Sequence, residues 1–147
     1  MGLSQNVHRT GCNLCNHLRH AVEHGELWTL ALNLNQNLPE RSVLVLNRHC
    51  ERVPEITAEE WTSLGPQIAR ATAALDGLFA PDLYNFAFLM NFDAHVHLYL
   101  VPRYASPREW RGETYEDPHY GELFGGEQRR ASKEALDELA EALRVRL

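Results

Sequence analysis

The 147-residue sequence has few cysteines, no long apolar run and no excess of basic residues. Three cysteines, an odd number, do not make a disulfide framework. No segment approaches the about 20 consecutive apolar residues that a membrane-spanning helix needs. Lys and Arg total 14 against 20 Asp and Glu, which gives a formal net charge of -6. This sign argues against general nucleic-acid binding, which needs a basic surface to displace counterions.

The N-terminal segment also lacks the usual targeting features. MGLSQNVHRTGC contains no apolar stretch of the kind found in a secretory signal, and Asn6 stands where N-myristoylation requires Ser or Thr. We therefore expect a cytoplasmic protein. The length corresponds to about one domain, and no repeat or long linker interrupts it, so we expect a single domain over residues 1–147.

Hydrophobic periodicity predicts both strands and helices. Strands are expected at 27–34, 42–46, 84–89 and 95–101. Helices are expected at 12–24, from the capping box that begins at Thr57 to Pro81, and at 131–147. Pro66 lies inside the long helix and is expected to kink or divide it. Residues 102–126, rich in Pro, Gly and charge, are interpreted as a surface loop. Short strands beside segregated helices predict an α+β fold.

The segment His95-Val-His-Leu-Tyr-Leu-Val-Pro-Arg103 has the most unusual pattern. Because strand side chains alternate between faces, His95, His97 and Tyr99 should project together while the intervening apolar residues enter the core. Three polar rings on one face indicate a functional site. The alternative is an exposed strand whose histidines meet solvent.

A C-x-x-C pair near the N-terminus is the second candidate feature. Cys12 and Cys15 could supply two thiolates of a tetrahedral zinc site. A redox role would require a preceding strand, and none is predicted. Two further ligands are needed, and His49 and His95 lie at predicted strand ends. Three other histidines compete for this role: His17, His20 and His24.

Taken together, four features resemble the histidine-triad (HIT) proteins. They are the C-x-x-C pair, the strand end VLVLNRH, the capped helix and the segment NFAFLMNFDAHVHLYLVPRY, which contains most of the family signature His-φ-His-φ-His-φ-φ, where φ is apolar. The resemblance covers about residues 12–104 and leaves 105–147 as a loop and a C-terminal helix. It is strongest to bacterial HIT proteins, and more distant to galactose-1-phosphate uridylyltransferase. It implies an antiparallel sheet of about five short strands, one long helix, and helices near both termini.

The resemblance also implies roles for individual residues. The central histidine of the signature, which forms a nucleotidyl-imidazole intermediate in the family, matches His97. The ligands of a structural zinc ion, one per chain, match Cys12, Cys15, His49 and His95. A homodimer and a nucleotide or nucleoside phosphate as ligand are further expectations from the family.

Several positions are implied to bind the nucleotide. The family's ribose-binding acid matches Asn33, which carries no charge. Asn91 and Asn85 match amide positions of the family, the former contacting phosphate in relatives. Many relatives have Gly-His where this chain has Glu40-Arg41, so Arg41 is a candidate phosphate clamp instead of a match. Residues after the signature, Arg103, Arg108 and Trp110, could cover a base or phosphate, although Trp110 could equally close a subunit contact.

The sequence departs from the family at Tyr99, which replaces the third histidine. A phenol with a pKa of about 10 donates a hydrogen bond but shuttles protons poorly at neutral pH. Two functions are therefore expected. The first is a nucleotidyl hydrolase or transferase acting on a dinucleoside polyphosphate or phosphoramidate, with His97 and Tyr99 as catalytic residues. The second is a catalytically impaired nucleotide-binding or protein-interaction module.

Overall fold

The computed structural model describes residues 11–16 and 20–147. A five-stranded antiparallel sheet lies at its centre, with the spatial order β1-β2-β3-β5-β4. The strands are β1 (Ala21–His24), β2 (Trp28–Leu32), β3 (Ser42–Leu46), β4 (Leu83–Ala87) and β5 (His97–Arg103). A separate hairpin is formed by β6 (Arg108–Trp110) and β7 (Glu113–Tyr115). The helices are α1 (Asn13–Asn16), α2 (Ala58–Phe79) and α3 (Lys133–Arg144), and a 3-10 turn spans Val53–Glu55.

Helix α2 begins where the sequence predicts. The Thr57 hydroxyl accepts a hydrogen bond from the Glu60 backbone N–H at 3.2 Å, and the Glu60 carboxylate accepts one from the Thr57 N–H at 2.8 Å. This reciprocal pairing satisfies two donors of the first turn. The helix ends at Ala80, whose left-handed φ of 46° turns the chain away before Pro81. Pro66 does not divide the helix, because its neighbours keep their helical bonds around the one missing donor.

The two faces of the sheet differ in composition. One face carries large apolar side chains, such as Leu44, Leu98 and Leu100, which pack with residues of α2 and α3 into the main core. The opposite face carries the small apolar residues Ala31, Val43 and Val45, with Leu14 of α1 against them. Because paired residues on neighbouring strands share a face, the side chains opposite Val43 and Val45 on β5 belong to this second face. It is the face on which a ligand can lie.

The helix predicted at 12–24 is wrong in its second half. Among the described residues the helix spans Asn13–Asn16, and residues 21–24 form the edge strand β1. Val22 is buried in the main core, and Arg144 of α3 donates hydrogen bonds to the carbonyl oxygens of Ala21 at 2.8 Å and Val22 at 3.0 Å. Tertiary contacts therefore decide the conformation of a segment whose spacing suggests a helix. His17 lies outside the described residues.

Two further boundaries differ from the sequence predictions. The signature strand begins at His97 and not at His95, and it extends to Arg103. The segment 102–126 is not a loop throughout, because it contains the β6–β7 hairpin. The α+β architecture is nevertheless confirmed. No helix in residues 11–16 and 20–147 has the length and apolar character needed to cross a membrane. A homodimer, a cytoplasmic location and a single domain over 1–147 stay predictions.

Candidate metal centre and active-site cleft

Four potential metal ligands converge beside the start of β5. The ligand atoms of Cys12, Cys15, His49 and His95 all lie within 4.8 Å of one another. The Sγ atoms of Cys12 and Cys15 are 3.3 and 3.4 Å from Nδ1 of His95, and Nδ1 of His49 is 3.3 Å from Sγ of Cys15. Two thiols and two imidazoles in this arrangement form a closed, four-ligand cluster from three distant parts of the chain.

The second nitrogen of each imidazole is oriented by a partner outside the cluster. Nε2 of His95 donates to the carbonyl oxygen of Leu46 at 2.6 Å, and Nε2 of His49 lies 3.1 Å from a carboxylate oxygen of Glu51. These contacts leave Nδ1 of both rings directed at the cysteines, as metal-binding histidines require. Burial lowers the pKa of His95, which favours the neutral imidazole that binds a metal.

The donor set is that of a structural zinc ion. Zn–S bonds of about 2.3 Å and Zn–N bonds of about 2.05 Å at tetrahedral angles place S and N about 3.6 Å apart. The sulfur–nitrogen distances of 3.3–3.4 Å are close to this value. Two cysteines and two histidines fill all four positions, so a zinc ion here has no open site for water. The cofactor prediction of one structural zinc is confirmed by this cluster.

The neighbouring histidine, His97, is held by its own backbone. Its side chain is only 4% exposed, and Nδ1 lies 2.6 Å from the carbonyl oxygen of His95. A carbonyl oxygen can only accept, so in the neutral imidazole Nδ1 carries the proton and Nε2 carries the lone pair. The ring of Tyr99 stands edge-on to the His97 ring with centroids 5.1 Å apart. His97 therefore presents one defined nucleophilic nitrogen.

His97 and Tyr99 line a cleft of about 540 Å³ on the small-residue face of the sheet. Its floor is apolar, being formed by Ala31, Val43 and Leu14. Burial raises the pKa of Tyr99, so its phenol stays protonated at neutral pH and can donate a hydrogen bond. An apolar floor with a few directed polar groups is typical of a small-molecule site.

No family model matches the sequence, and no curated protein matches it; similarity appears at the level of solved structures. A histidine triad protein from Marinobacter aquaeolei is 20% identical, has a TM-score of 0.67, and the match covers 87% of this chain and 88% of that one. A zinc-bound histidine triad family protein from Mycobacterium smegmatis is 17% identical, with a TM-score of 0.63 and coverage of 90% and 93%. Plasmodium falciparum diadenosine triphosphate hydrolase is 14% identical, with a TM-score of 0.65 and coverage of 86% and 75%.

The chain has the histidine-triad fold. At these identities the likeness shows the fold alone, so the activity has to be argued from the site. Within this fold, the first two signature positions serve different purposes. His95 lies in the metal cluster, whereas His97 lines the cleft. The alternation predicted from the sequence holds from His97 to Tyr99, while His95 precedes the strand and turns toward the cysteines.

The predicted phosphate-binding residues are not all brought to the cleft of the histidine-triad fold. Asn33 lines it. Asn85 lies on β4, and its Oδ1 accepts a hydrogen bond of 2.6 Å from the buried Arg103. Asn91 is exposed in the turn before β5 and does not line the cleft. The roles of Asn85 and Asn91 stay predictions.

Arg41 directly precedes β3, and its carbonyl oxygen accepts a hydrogen bond of 2.9 Å from the N–H of Asn33, but Arg41 does not line the cleft. Its Nη1 donates to Oδ1 of Asn37 at 2.8 Å, while its buried Nε has no hydrogen-bond partner among the described residues. Burial lowers its pKa. The guanidinium also lies 5.5 Å from the centre of the Phe124 ring. A desolvated arginine with spare donors could turn toward a phosphate, and that role stays a prediction.

Arg103 and Arg108 are structural, and neither lines the cleft. Arg103 is 1% exposed and forms a bidentate pair with Asp117 at 2.6 and 3.0 Å. Arg108 donates to carbonyl oxygens at the end of α2, and Trp110 is buried in the main core. The interpretation that these three cover a base or phosphate receives no support from their positions.

The cleft is also lined by four polar residues to which the sequence analysis assigns no role in ligand binding: Asn13, His20, Asp93 and Arg130. His20, a competing candidate for the metal site, precedes β1 and lines the cleft instead. His24 is exposed on β1 and stands apart from the metal cluster. Asp93 follows Asn91 by two positions, so the turn before the signature does contribute a polar group. Arg130 comes from a segment remote in sequence and carries no local motif.

Proposed function

We propose that this chain binds nucleotides and transfers or hydrolyses the nucleotidyl group of nucleoside phosphate derivatives, through a covalent nucleotidyl intermediate on Nε2 of His97. The observation that carries the proposal is the 2.6 Å hydrogen bond from Nδ1 of His97 to the carbonyl oxygen of His95. It leaves an unprotonated Nε2 on a side chain that lines the cleft. The name of the diadenosine triphosphate hydrolase of similar fold agrees with this reaction class.

The reaction proceeds in two steps. The lone pair of Nε2 attacks the α-phosphorus, an N–P bond forms, and the leaving group departs with its electron pair and takes a proton from solvent. Nδ1 keeps its proton and its bond to the carbonyl oxygen. Water then attacks the same phosphorus, releases a proton, and the electrons of the N–P bond return to Nε2. The products are a nucleoside monophosphate and the protonated leaving group.

Two other groups of the chain serve this chemistry. The Tyr99 hydroxyl, a donor at neutral pH, can stabilise the leaving group or a phosphoryl oxygen as charge develops there. The Cys12, Cys15, His49 and His95 cluster would hold zinc, which ties α1, the end of β3 and the start of β5 together. Since His95 supplies both a zinc ligand and the carbonyl that orients His97, the metal would position the nucleophile without touching the substrate.

A second function is favoured by Tyr99 itself. A signature with Tyr in place of the third histidine could retain the cleft while losing efficient protonation of the leaving group. Such a protein would bind nucleoside monophosphates without turning over phosphoanhydrides or phosphoramidates.

A turnover assay separates the two functions. The zinc-loaded protein is incubated with an adenosine phosphoramidate and with diadenosine triphosphate, and denatured samples are examined by intact mass for a covalent nucleotidyl adduct. We expect turnover in the wild type, its loss by several orders of magnitude in His97→Ala, and an adduct only where His97 is present. His24→Ala, which changes an exposed histidine outside the cleft, is the matched control. Binding without turnover in the wild type supports the second function, and undiminished activity in His97→Ala refutes the mechanism.

A further inference from the structure

Arg130 is held at the rim of the cleft by backbone contacts. It forms an isolated β-bridge with Asn35, just beyond the end of β2. On its two sides, the N–H of Ala131 donates to the carbonyl oxygen of Leu34 at 3.1 Å, and the N–H of Arg129 donates to Oδ1 of Asn35 at 2.9 Å. These bonds join a segment near the C-terminus to the β2–β3 connection. The backbone that carries the Arg130 guanidinium is therefore fixed before any ligand arrives.

Among the described residues, no carboxylate forms an ion pair with Arg130. Its neighbour Arg129 pairs with Glu113, and Arg111 pairs with Glu138, so these two nearby arginines already have anionic partners. Arg130 is exposed and is the one Arg or Lys side chain that lines the cleft in the part of the chain described. In a protein of net charge -6, an anchored arginine without a carboxylate partner is available to an anionic ligand.

Two more cleft residues, Asn33 and His20, have a side-chain nitrogen that could form a further hydrogen bond. Oδ1 of Asn33 accepts a hydrogen bond of 2.9 Å from the N–H of Asn35, which leaves the Nδ2 amide as the group that Asn33 can offer to a ligand. Nδ1 of His20 is buried and has no hydrogen-bond partner among the described residues. The backbone carbonyl of His20 accepts from the N–H of Leu32, which places His20 beside the same end of β2. Arg130 and the Asn33 amide therefore offer donors to an anion at this end of the cleft, and His20 adds a third donor when its ring turns toward the ligand with the proton on Nδ1.

The donors lie far from the nucleophile. His97 is paired across the sheet with Val45, and Val45 with Thr29. Asn33 follows Thr29 by four positions, a shift of about 13 Å along the strand. The floor between them is apolar, formed by Ala31 and Val43. A phosphate bonded directly to the reacting phosphorus would stay beside His97, whereas the apolar floor suits a base and sugar. A second anion that reaches Arg130 must then be attached to the far side of the nucleoside.

We infer that the nucleoside of the substrate carries a second phosphate, on its ribose 2′- or 3′-oxygen, and that Arg130, Asn33 and His20 bind this phosphate. The common bases are uncharged, so the ribose hydroxyls are where a nucleoside 5′-phosphate can carry a further phosphate ester. The inference rests on the proposed function and specifies its substrate class. It makes Arg130 a specificity-determining residue, because a charge-assisted contact to phosphate distinguishes a bisphosphate from a free ribose diol.

Binding measurements with defined nucleotides test this assignment. The zinc-loaded full chain is titrated calorimetrically with the 5′-monophosphate, the 3′,5′-bisphosphate, the 2′,5′-bisphosphate and the 5′-diphosphate of adenosine and of guanosine. We expect one of the bisphosphates to bind at least about tenfold more tightly than the 5′-monophosphate in one base series. In Arg130→Gln this ratio should fall below about threefold, and Arg130→Lys should retain part of it.

Two variants provide the comparison. Arg146→Gln removes an exposed arginine whose guanidinium, within the described part of the chain, donates to the Ala142 carbonyl oxygen alone, and it should keep the full bisphosphate preference. Asn33→Asp places a carboxylate beside the proposed second phosphate and should repel it. This variant should therefore bind the 5′-monophosphate, with its free ribose diol, more tightly than either bisphosphate. The absence of any bisphosphate advantage in the wild type, or an advantage that survives Arg130→Gln, overturns the inference. A 5′-diphosphate advantage that disappears in Arg130→Gln overturns it as well, since the phosphate chain would then run toward Arg130.

The outcomes remain distinct from those of the proposed function. Turnover that depends on His97, in a protein that binds bisphosphates no more tightly than the 5′-monophosphate, would contradict only the assignment of a second phosphate to the substrate. A bisphosphate preference that depends on Arg130, without any turnover or adduct on His97, would support the phosphate-binding site. It would contradict the proposed enzymatic reaction.

Discussion

The Nδ1 nitrogen of His97 lies 2.6 Å from the backbone carbonyl oxygen of His95, and the side chain of that same His95 faces Cys12 and Cys15. One residue therefore belongs to the metal cluster through its side chain and to the surroundings of His97, the proposed nucleophile, through its backbone. A displacement of His95 changes the acceptor that fixes the tautomer and direction of the His97 ring. Metal binding and catalysis are expected to fail together when this residue moves.

The zinc cluster gives the first prediction. Cys12→Ser should purify with far less than one zinc per chain and unfold at a lower temperature, because metal-binding energy contributes to folding energy. Elemental analysis and thermal melts with and without a chelator measure both effects. Cys50→Ala is the matched control, since Cys50 is buried outside the cluster and should leave the zinc content unchanged. Equal zinc content in Cys12→Ser and the wild type would contradict the ligand assignment.

Tyr99 gives the second prediction, on the rate of the proposed reaction. Tyr99→Phe keeps the ring beside His97 but removes the hydroxyl donor. Loss of one donor to the transition state should lower kcat by about 10–100-fold. Tyr99→His should restore a third histidine and raise the rate or leave it unchanged. Steady-state kinetics on an adenosine phosphoramidate measure this series, and a Tyr99→Phe enzyme as fast as the wild type would remove the phenol from the mechanism.

Glu40 gives a prediction about stability and pH. Its side chain is fully buried, one carboxylate oxygen has no hydrogen-bond partner among the described residues, and burial raises its pKa from 4.5 to about 9. Between these values the folded state holds a proton that the unfolded state releases. Stability should therefore fall as pH rises from about 4.5 toward 9, by at most about 1.4 kcal/mol per pH unit from this group.

Glu40→Gln should remove that slope. The variant is expected to exceed the wild type in unfolding free energy at pH 8 and to lose this advantage near pH 5, measured by urea denaturation of zinc-saturated protein. Glu26→Gln alters an exposed glutamate and should follow the wild-type curve. Parallel curves for Glu40→Gln and the wild type across this range would show that Glu40 is ionised in the folded state.

The last prediction concerns the buried pair of Arg103 and Asp117, whose side chains are both 1% exposed. Burial by itself raises the pKa of Asp117, but the hydrogen bonds from Arg103 and from two backbone N–H groups lower it below its ordinary value. Arg103→Met leaves a buried carboxylate without its cation, so it should destabilise the fold by about 3–5 kcal/mol. Arg103→Met combined with Asp117→Leu should recover part of this loss. A single variant as stable as the wild type would show that the pair contributes nothing.

Short-range spacing in the sequence is sufficient to predict several of the site residues. The C-x-x-C pair places two sulfurs on one turn, and the alternation along β5 puts His97 and Tyr99 on one face, because backbone geometry sets both periods. The capping box at Thr57 is local in the same sense, since its two hydrogen bonds span three residues. The zinc cluster and the α+β fold could be predicted from these features and the family resemblance.

The groups of the cleft that are remote in sequence come together through long-range contacts. Arg130 reaches it through a β-bridge to Asn35, a pairing across 95 positions that no local pattern encodes. Residues 21–24 become strand β1 because the core and Arg144 hold them there, although their spacing suggests a helix. Asn85 accepts a hydrogen bond from the buried Arg103. Long-range pairing and burial outweigh local propensity at these positions, because each intrinsic preference is worth less than about 1 kcal/mol.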